Sequence, residues 1–297
     1  MTVKALAAAT LTFLSLTLVF QPVLATNDPP AAGGTVSGDW IVTDSRSYSN
    51  VLITVDHGNL IIKSGGSLTL SDVDLVMRLD SGGQFYIEVQ SGGTLVLKAG
   101  STVTCSNPSL RYNFRIRSGA FATLGNSTIR HAGASTDPAD TNGIYVASGN
   151  VTIDSCTITD SSYGVYTDNS NPRVSNCIFR AIGSYGIYSS RGAPALTGND
   201  FTNGNIGIYC DAAAPWISRS SFTANYYGVY FSLSTKARVE NCTFRDHYYN
   251  GIYVALYSTV DIRDCGFTHN GNSDWYYGGG IRYNGYSGGL CQRNTFT

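Results

Sequence analysis

The residues of this chain whose types and spacing best suit catalysis are Asp168, Arg191 and Asp211. Both aspartates stand two positions after a tyrosine of a recurring Gly-Ile/Val-Tyr phrase, so they hold equivalent places two repeats apart. If repeats stack ~4.8 Å apart, the carboxylates lie roughly 9–10 Å from each other with the guanidinium between them. A polysaccharide lyase needs acids that hold calcium and a base that takes the α-proton of a uronate, but acids this far apart cannot share one calcium ion. The competing interpretation is a solvated turn with one surface ion pair.

A second candidate is a column of tyrosines that could bind carbohydrate. The Gly-Ile/Val-Tyr phrase occurs six times between residues 143 and 253, once every 21 to 23 residues. Because side chains alternate along a strand, an inward Ile or Val places the following tyrosine on the outer face, in a stripe roughly 24 Å long. Such an aromatic strip can stack on sugar rings and bond to their hydroxyls, or the stacked rings only stabilise the sheet. The column consists of Tyr145, Tyr166, Tyr188, Tyr209, Tyr230 and Tyr253.

The same repeat predicts the elements that must position these residues. A second phrase follows each tyrosine by eleven or twelve residues, as in Cys156-Thr157-Ile158 and Cys177-Ile178-Phe179. Self-similarity at a short fixed period is the signature of a solenoid. Ile187, Leu196 and Phe201 each mark a short strand with an inward apolar side chain, and the glycine of each phrase is expected to turn the chain. We therefore predict an all-β fold, a single-stranded right-handed parallel β-helix with three short strands per rung of about 21–23 residues.

The organisation along the chain follows from changes in composition. Residues 1–25 carry a lysine, an apolar run and small residues before a cleavage site, which predicts a signal peptide rather than an uncleaved anchor; residues 26–39 are predicted to be a flexible mature N-terminus. The β-helix is predicted over residues 40–297, with Gly-Gly-x-Leu-x-Leu rungs over 40–130 and Gly-Ile-Tyr rungs over 143–297. Because the chain stops one residue after a fresh copy of the third-strand phrase, we expect further rungs in the native protein.

Composition restricts the classes of function. Charged residues make up only 13% of the chain and the formal net charge is −1, which argues against the basic face of a nucleic-acid binder. Cys156 stacks over Cys177, and Cys242 over Cys265, with side chains that point the same way, which favours buried free thiols over disulfides. The four histidines show no ligand spacing, so no metal site is predicted.

The repeat phrases resemble those of a known superfamily. The segments Asn176-Cys177-Ile178-Phe179 and Asn241-Cys242-Thr243-Phe244, with Gly-Ile-Tyr, are similar to the repeats of pectate-lyase-like parallel β-helix proteins. The Ser-Gly-Gly-x-Leu-x-Leu segments resemble those of exported, often archaeal, right-handed β-helix repeat proteins. The resemblance covers roughly residues 40–297 and implies the fold, whereas that superfamily includes lyases, hydrolases, epimerases, tail spikes and adhesins.

Family motifs for catalysis are incomplete here. The acidic and Gly-His-Gly segments of polygalacturonases do not occur. Asp137-Pro138-Ala139-Asp140 resembles the Asp-Pro-His-Asp segment of alginate epimerases, but alanine replaces the histidine that would transfer the proton. A turn in the loop over residues 132–142 is the simpler interpretation of this segment.

These observations predict an exported or cell-surface β-helix scaffold that does no chemistry and binds a glycan or another surface partner along the tyrosine column. The alternative is a polysaccharide lyase, uronate epimerase or glycoside hydrolase whose site lies on the face of the first strands. No cofactor is expected, apart from calcium if the protein is a lyase. The expected partner is a polysaccharide or cell-surface glycan rather than nucleic acid, and no membrane span is expected after signal cleavage. The expected location is secreted or cell-surface.

Overall fold

The computed structural model describes residues 27–134, 139–271 and 278–297. Over these ranges the regular structure consists of β-strands and one 3-10 turn, Ala139–Thr141. The predicted signal peptide, residues 1–25, lies outside the described residues. No helix in the part of the chain that the structure describes is long and apolar enough to cross a membrane.

The strands are short and follow one another at nearly regular intervals. In chain order, strands β1 to β11 are Gly34–Ser37, Trp40–Val42, Ser45–Asp56, Leu60–Ile62, Ser67–Arg78, Tyr86–Val89, Thr94–Lys98, Thr102–Cys105, Asn113–Ile116, Phe121–Gly125 and Thr128–Arg130. Strands β12 to β22 are Ile144–Val146, Val151–Asp154, Thr157–Thr159, Tyr163–Asp168, Arg173–Ser175, Ile178–Arg180, Tyr185–Ser190, Ala195–Thr197, Asp200–Thr202, Ile206–Asp211 and Trp216–Ser218. Strands β23 to β32 are Ser221–Thr223, Tyr227–Ser232, Lys236–Glu240, Thr243–Arg245, Asn250–Val254, Thr259–Arg263, Gly266–Thr268, Gly279–Tyr283, Cys291–Gln292 and Thr295–Phe296.

These strands stack in parallel into the three faces of a solenoid. The first face is an 11-stranded sheet, and the other 21 strands form the second and third faces. Equivalent residues of successive rungs lie opposite each other, as Tyr166 does to Tyr188 and Tyr188 to Tyr209. The prediction of an all-β, right-handed parallel β-helix is confirmed. The first sheet consists of β2, β4, β6, β9, β12, β15, β18, β21, β24, β27 and β30.

The core is a set of stacked apolar ladders. Ile187 and Leu196 are fully buried, and Phe201 and Phe222 stack at a ring-centroid distance of 4.9 Å. In five of the six phrases the glycine lies inside its strand and not at a turn, which corrects the expected role of this residue, whereas Gly143 directly precedes β12 with a φ of 49°. A Cβ atom on Gly207 would lie 2.7 Å from Cδ1 of Phe222. Glycine is therefore required because the phenylalanine ring occupies the place of its side chain.

The first two rungs depart from the prediction of three short strands. The second and third strands are joined in β3 and β5, each 12 residues long, which bend at Asn50 and Asp72, both with φ near 55°. Short polar side chains tolerate this left-handed conformation at a corner better than most residues. The prediction of separate strands is thus wrong for these rungs.

The segment over residues 26–39, predicted to be flexible, is described from residue 27, and this part corrects the prediction. Strand β1 pairs with β3, and its Val36 is only 2% exposed. Asp28 accepts hydrogen bonds from the Trp40 indole and the Arg46 guanidinium, both at 2.8 Å. This segment covers apolar surface at the end of the solenoid, which would otherwise be open to water.

The cysteines are free in the structure. Cys156 and Cys177 are buried on successive rungs, and the backbone N–H of Cys156 lies 3.5 Å from Sγ of Cys177. Cys242 and Cys265 repeat the arrangement further along the solenoid. The thiols fill the corner between the second and third faces as small apolar groups.

Candidate functional site

The tyrosine column stands on the outer side of the first sheet, with one ring on each rung. Neighbouring rings lie at centroid distances from 4.7 to 5.8 Å. The rings from Tyr145 to Tyr230 stack, with the planes of Tyr166 and Tyr188 only 4° apart, whereas the ring of Tyr253 is tilted by 48° against that of Tyr230. The stacked rings cover one another's faces. Ring edges and hydroxyls are therefore the parts of the column that remain for a ligand.

A second row of tyrosines packs beside the column. Tyr185 meets Tyr188 edge-on at 5.3 Å, and Tyr163 lies 5.9 Å from Tyr188. Tyr145 is only 8% exposed and the other members of the column are half-buried. The predicted exposed stripe is thus corrected: the rings face outwards, but neighbouring rings cover much of their area. Stacking of a sugar on ring faces inside the column is excluded by this packing.

The acids singled out from the sequence lie along the edge of this column. Asp168, Ser190 and Asp211 lie opposite one another on successive rungs, as the register predicted. Arg191 pairs with Asp168 at 2.9 Å, but it is 63% exposed, so the pair contributes little to stability. This exposed ion pair agrees with the interpretation of the segment as a solvated turn with one surface ion pair. No ion pair joins Arg191 to Asp211 in the described part of the chain.

Both aspartates bind hydroxyls of the column, a contact that the sequence did not suggest. The Tyr145 hydroxyl donates to Asp168 at 2.9 Å, and the Tyr188 hydroxyl donates to Asp211 at 3.2 Å. Burial, with the Asp168 hydrogen bond as the second cause, raises the pKa of Tyr145 to about 12. The phenol is therefore a neutral donor near neutral pH rather than a base.

A charged cluster extends the column towards the N-terminus. Glu88 and Arg115 occupy the place of the tyrosine on the two rungs before Tyr145. Arg117 bridges Glu88 at 2.8 Å and Asp140 at 2.9 Å. The side chains of the four charged residues are 12–35% exposed. Two guanidiniums and two carboxylates thus lie next to the first tyrosine of the column, largely neutralising one another.

Sequence reasoning missed this cluster because its rungs lack the Gly-Ile-Tyr phrase. The alternation in Tyr86–Val89 and Asn113–Ile116 predicts that Glu88 and Arg115 point outwards. Because these rungs are longer than the later ones, counting residues does not align the two side chains with Tyr145. The sequence predicts that Asp140 belongs to a turn, and residues Ala139–Thr141 do form one. Asp137 and Pro138 lie outside the described residues.

The C-terminal end of the column also carries a cation. The Arg282 guanidinium lies 5.3 Å from the ring centroid of Tyr253, a cation–π geometry. Asn284 donates to the Tyr253 hydroxyl at 2.7 Å. Across residues 27–134, 139–271 and 278–297, no three His, Cys, Asp or Glu side chains are arranged to hold a metal ion.

Comparisons with known proteins agree with this architecture. A family model described as a right-handed β-helix region matches residues 60–215 and 195–297. No curated protein sequence matches the chain. Among solved structures, the Dettilon tailspike protein is 16% identical with a TM-score of 0.59, covering 84% of this chain and 54% of the tailspike.

Two further solved structures are similar to the chain. The periplasmic alginate epimerase AlgG is 12% identical with a TM-score of 0.53, covering 84% of this chain and 78% of the epimerase. The surface adhesin PfbA of Streptococcus pneumoniae is 10% identical with a TM-score of 0.39, covering 90% of this chain and 86% of the adhesin. For the tailspike and the epimerase, identities this low show the fold alone.

Proposed function

The chain belongs to the right-handed β-helix family, and from that premise we propose that it is an exported or cell-surface protein whose first sheet binds a polysaccharide. One observation carries the proposal, the continuous outer face of stacked tyrosines with a charged group at each end. This face is long and open, which suits a polymer better than a small molecule. The observed column runs from Tyr145 to Tyr253, and its ends meet Arg115 and Arg282.

The chemistry of this face is suited to sugar hydroxyls. Tyrosine hydroxyls both donate and accept hydrogen bonds, and carboxylates such as Asp211 accept from sugar hydroxyls. Ring edges provide apolar surface for the carbon atoms of a sugar. Because the rings are held by stacking and by hydrogen bonds such as that from Tyr188 to Asp211, little side-chain freedom is lost on binding.

The proposal is tested by removing hydroxyls while keeping the stack. The triple variant Tyr166→Phe, Tyr188→Phe, Tyr209→Phe should lower retention on a polysaccharide array at least about tenfold, as expected for several lost hydrogen bonds. Tyr257→Phe is the matched control, since its ring is 64% exposed outside the column. Equal retention of the triple variant and the wild type, or no retention of the wild type on any polysaccharide, would sink the proposal.

Catalysis on the same face is the second candidate. The observation that favours it is the cluster around Arg117, since a guanidinium can neutralise a uronate carboxylate. Purified residues 26–297 should be incubated with uronate polysaccharides, with and without calcium, and assayed for unsaturated uronate or reducing ends. Turnover by the wild type that is lost in the Arg117→Ala variant would show that the protein is an enzyme and does more than bind the polymer. Absence of turnover on polymers that the protein retains would leave binding as its function.

A further inference from the structure

A depression of about 570 Å³ lies on the second face, where β22, β25 and β28 stack, away from the tyrosine column. Three successive rungs each place two outward side chains there, in register across the sheet. Two of the six side chains, Ala214 and Thr259, are short, and they leave room beside the larger ones. The outward pairs are Ala214 with Trp216, Lys236 with Arg238, and Thr259 with Asp261.

Trp216 gives this depression an aromatic wall. Its side chain is 45% exposed, and its indole N–H donates to Oε1 of Glu240 at 3.0 Å. No aromatic ring or cation among the described residues stacks on the indole. The ring is thus held in orientation by one hydrogen bond while its faces carry no stacking partner. An exposed, oriented indole is the side chain that best stacks on the apolar face of a sugar ring.

Among the charged side chains around the indole, the acids have partners within the protein and the cations have no ion-pair partner among the described residues. Lys236 and Arg238 have no carboxylate within ion-pair distance in the described ranges. Asp261 pairs with Arg263 at 3.4 Å and accepts from the backbone N–H of Leu290 at 3.3 Å. Glu240 already accepts the indole hydrogen bond. Both neighbouring acids are therefore engaged, whereas both cations are available to a ligand anion.

We propose that this depression binds an acidic sugar residue, with its ring against Trp216 and its anionic group on Lys236 and Arg238. The anion is a carboxylate or a sulfate, as in uronates or sulfated sugars. A neutral sugar would stack on the indole but would lack the charge-assisted hydrogen bonds. A free inorganic anion would form those hydrogen bonds but could not stack on the indole. The site lies on a different face from the tyrosine column and does not depend on glycan binding there.

The test titrates the predicted mature protein, residues 26–297, with acidic oligosaccharides of two kinds, an oligogalacturonate and a sulfated oligosaccharide. A neutral oligosaccharide and inorganic sulfate serve as comparison ligands, and calorimetry reports the affinity. At least one acidic oligosaccharide should bind at least about tenfold tighter than the neutral one. The preferred kind identifies whether carboxylate or sulfate is the anion.

The variants separate the two parts of the site. Trp216→Ala and the double variant Lys236→Ala, Arg238→Ala should each weaken acidic-oligosaccharide binding at least about tenfold, and Trp216→Phe should retain part of it. The triple variant Tyr166→Phe, Tyr188→Phe, Tyr209→Phe should bind these short ligands as the wild type does. Failure of the proposed site at Trp216 can therefore be distinguished from failure of polysaccharide binding on the first sheet. Wild-type affinity in Trp216→Ala, equal affinity for neutral and acidic ligands, or no binding would overturn the inference. Circular dichroism confirms that each variant is folded.

Discussion

Gly207 and Phe222 meet inside one coil, where the phenylalanine ring of the third strand takes the space that a side chain on the first strand would need. A Cβ on Gly207 would lie 2.7 Å from Cδ1 of Phe222 and 2.6 Å from the carbonyl oxygen of Gly228 on the next rung. The same relationship recurs along the solenoid, for example between Gly186 and Phe201. The glycine and phenylalanine columns of the repeat are therefore two halves of one packing unit.

Substitution of Gly207 by alanine should destabilise the protein. The methyl group must displace either the Phe222 ring or backbone, and overpacking of this kind costs about 1–3 kcal/mol. Gly266→Ala is the matched control, because a Cβ there meets nothing within 4 Å. Urea unfolding followed by circular dichroism measures the difference, and equal midpoints for the two variants would contradict the packing argument.

His247 should make stability depend on pH. It is fully buried, and burial lowers its pKa to about 4 from the usual 6.5, so the unfolded chain takes up a proton between these values and the folded protein does not. Stability is therefore complete above about pH 6.5 and falls as the pH drops towards 4, by at most about 3 kcal/mol.

The control for this prediction comes from the same inward column. Asn225 and Asn270 occupy equivalent places and donate to the carbonyls of Phe201 and Phe244 at 3.0 Å. His247→Asn should preserve such contacts and reduce the loss of stability between pH 6.5 and 4.5. Identical pH profiles of the unfolding midpoint in wild type and variant would show that another group is responsible.

Loss of Arg117 should cost more than loss of Arg191. Arg117→Ala leaves the Glu88 carboxylate, 12% exposed, without its closest cation, at a cost of about 1–3 kcal/mol. Arg191→Ala removes one exposed ion pair and should cost less than about 1 kcal/mol. Thermal unfolding at low and moderate salt measures both. A larger loss for Arg191→Ala would refute the assignment of its ion pair to the surface.

The hydroxyls of Tyr145 and Tyr230 should still contribute to binding on the first sheet in mild alkali. Burial raises the pKa of Tyr145 and of Tyr230 to about 12, so these hydroxyls stay protonated at pH 10.5, where a free phenol is mostly ionised. The contribution of these two tyrosines to the stability of the folded protein is complete below about pH 10 and decreases as the pH rises through 12. Retention on a bound polysaccharide at pH 7.5 and 10.5, with absorbance at 295 nm, tests this. Retention that is lost at pH 10.5 in the wild type but kept in the double variant Tyr145→Phe, Tyr230→Phe would contradict it.

Much of this fold could be predicted from sequence because stacking is in register. Residues such as Tyr166 and Tyr188 have equal places in the repeat, and that equality alone makes them neighbours. The position of Asp168 relative to Asp211 followed in the same way. Alternation also gave the side of the sheet on which each tyrosine lies.

Other features depend on contacts that the sequence repeat does not predict. The charged cluster joins Glu88, Arg117 and Asp140, which come from rungs of different length and from an inserted turn, so counting residues could not align them. The pairing of Trp216 with Glu240 joins a tryptophan and a glutamate that each occur once in their columns. Such contacts depend on side-chain direction and on which neighbours leave space.

The sequence by itself determined the solenoid and the columns, because parallel rungs translate a one-dimensional period directly into neighbours in space. Only the tertiary structure decided how much of each column reaches solvent. Outward direction is a property of one strand, whereas exposure depends on the rings above, below and beside it. For this reason the tyrosines of the column face outwards and yet offer a ligand their edges and hydroxyls rather than their faces.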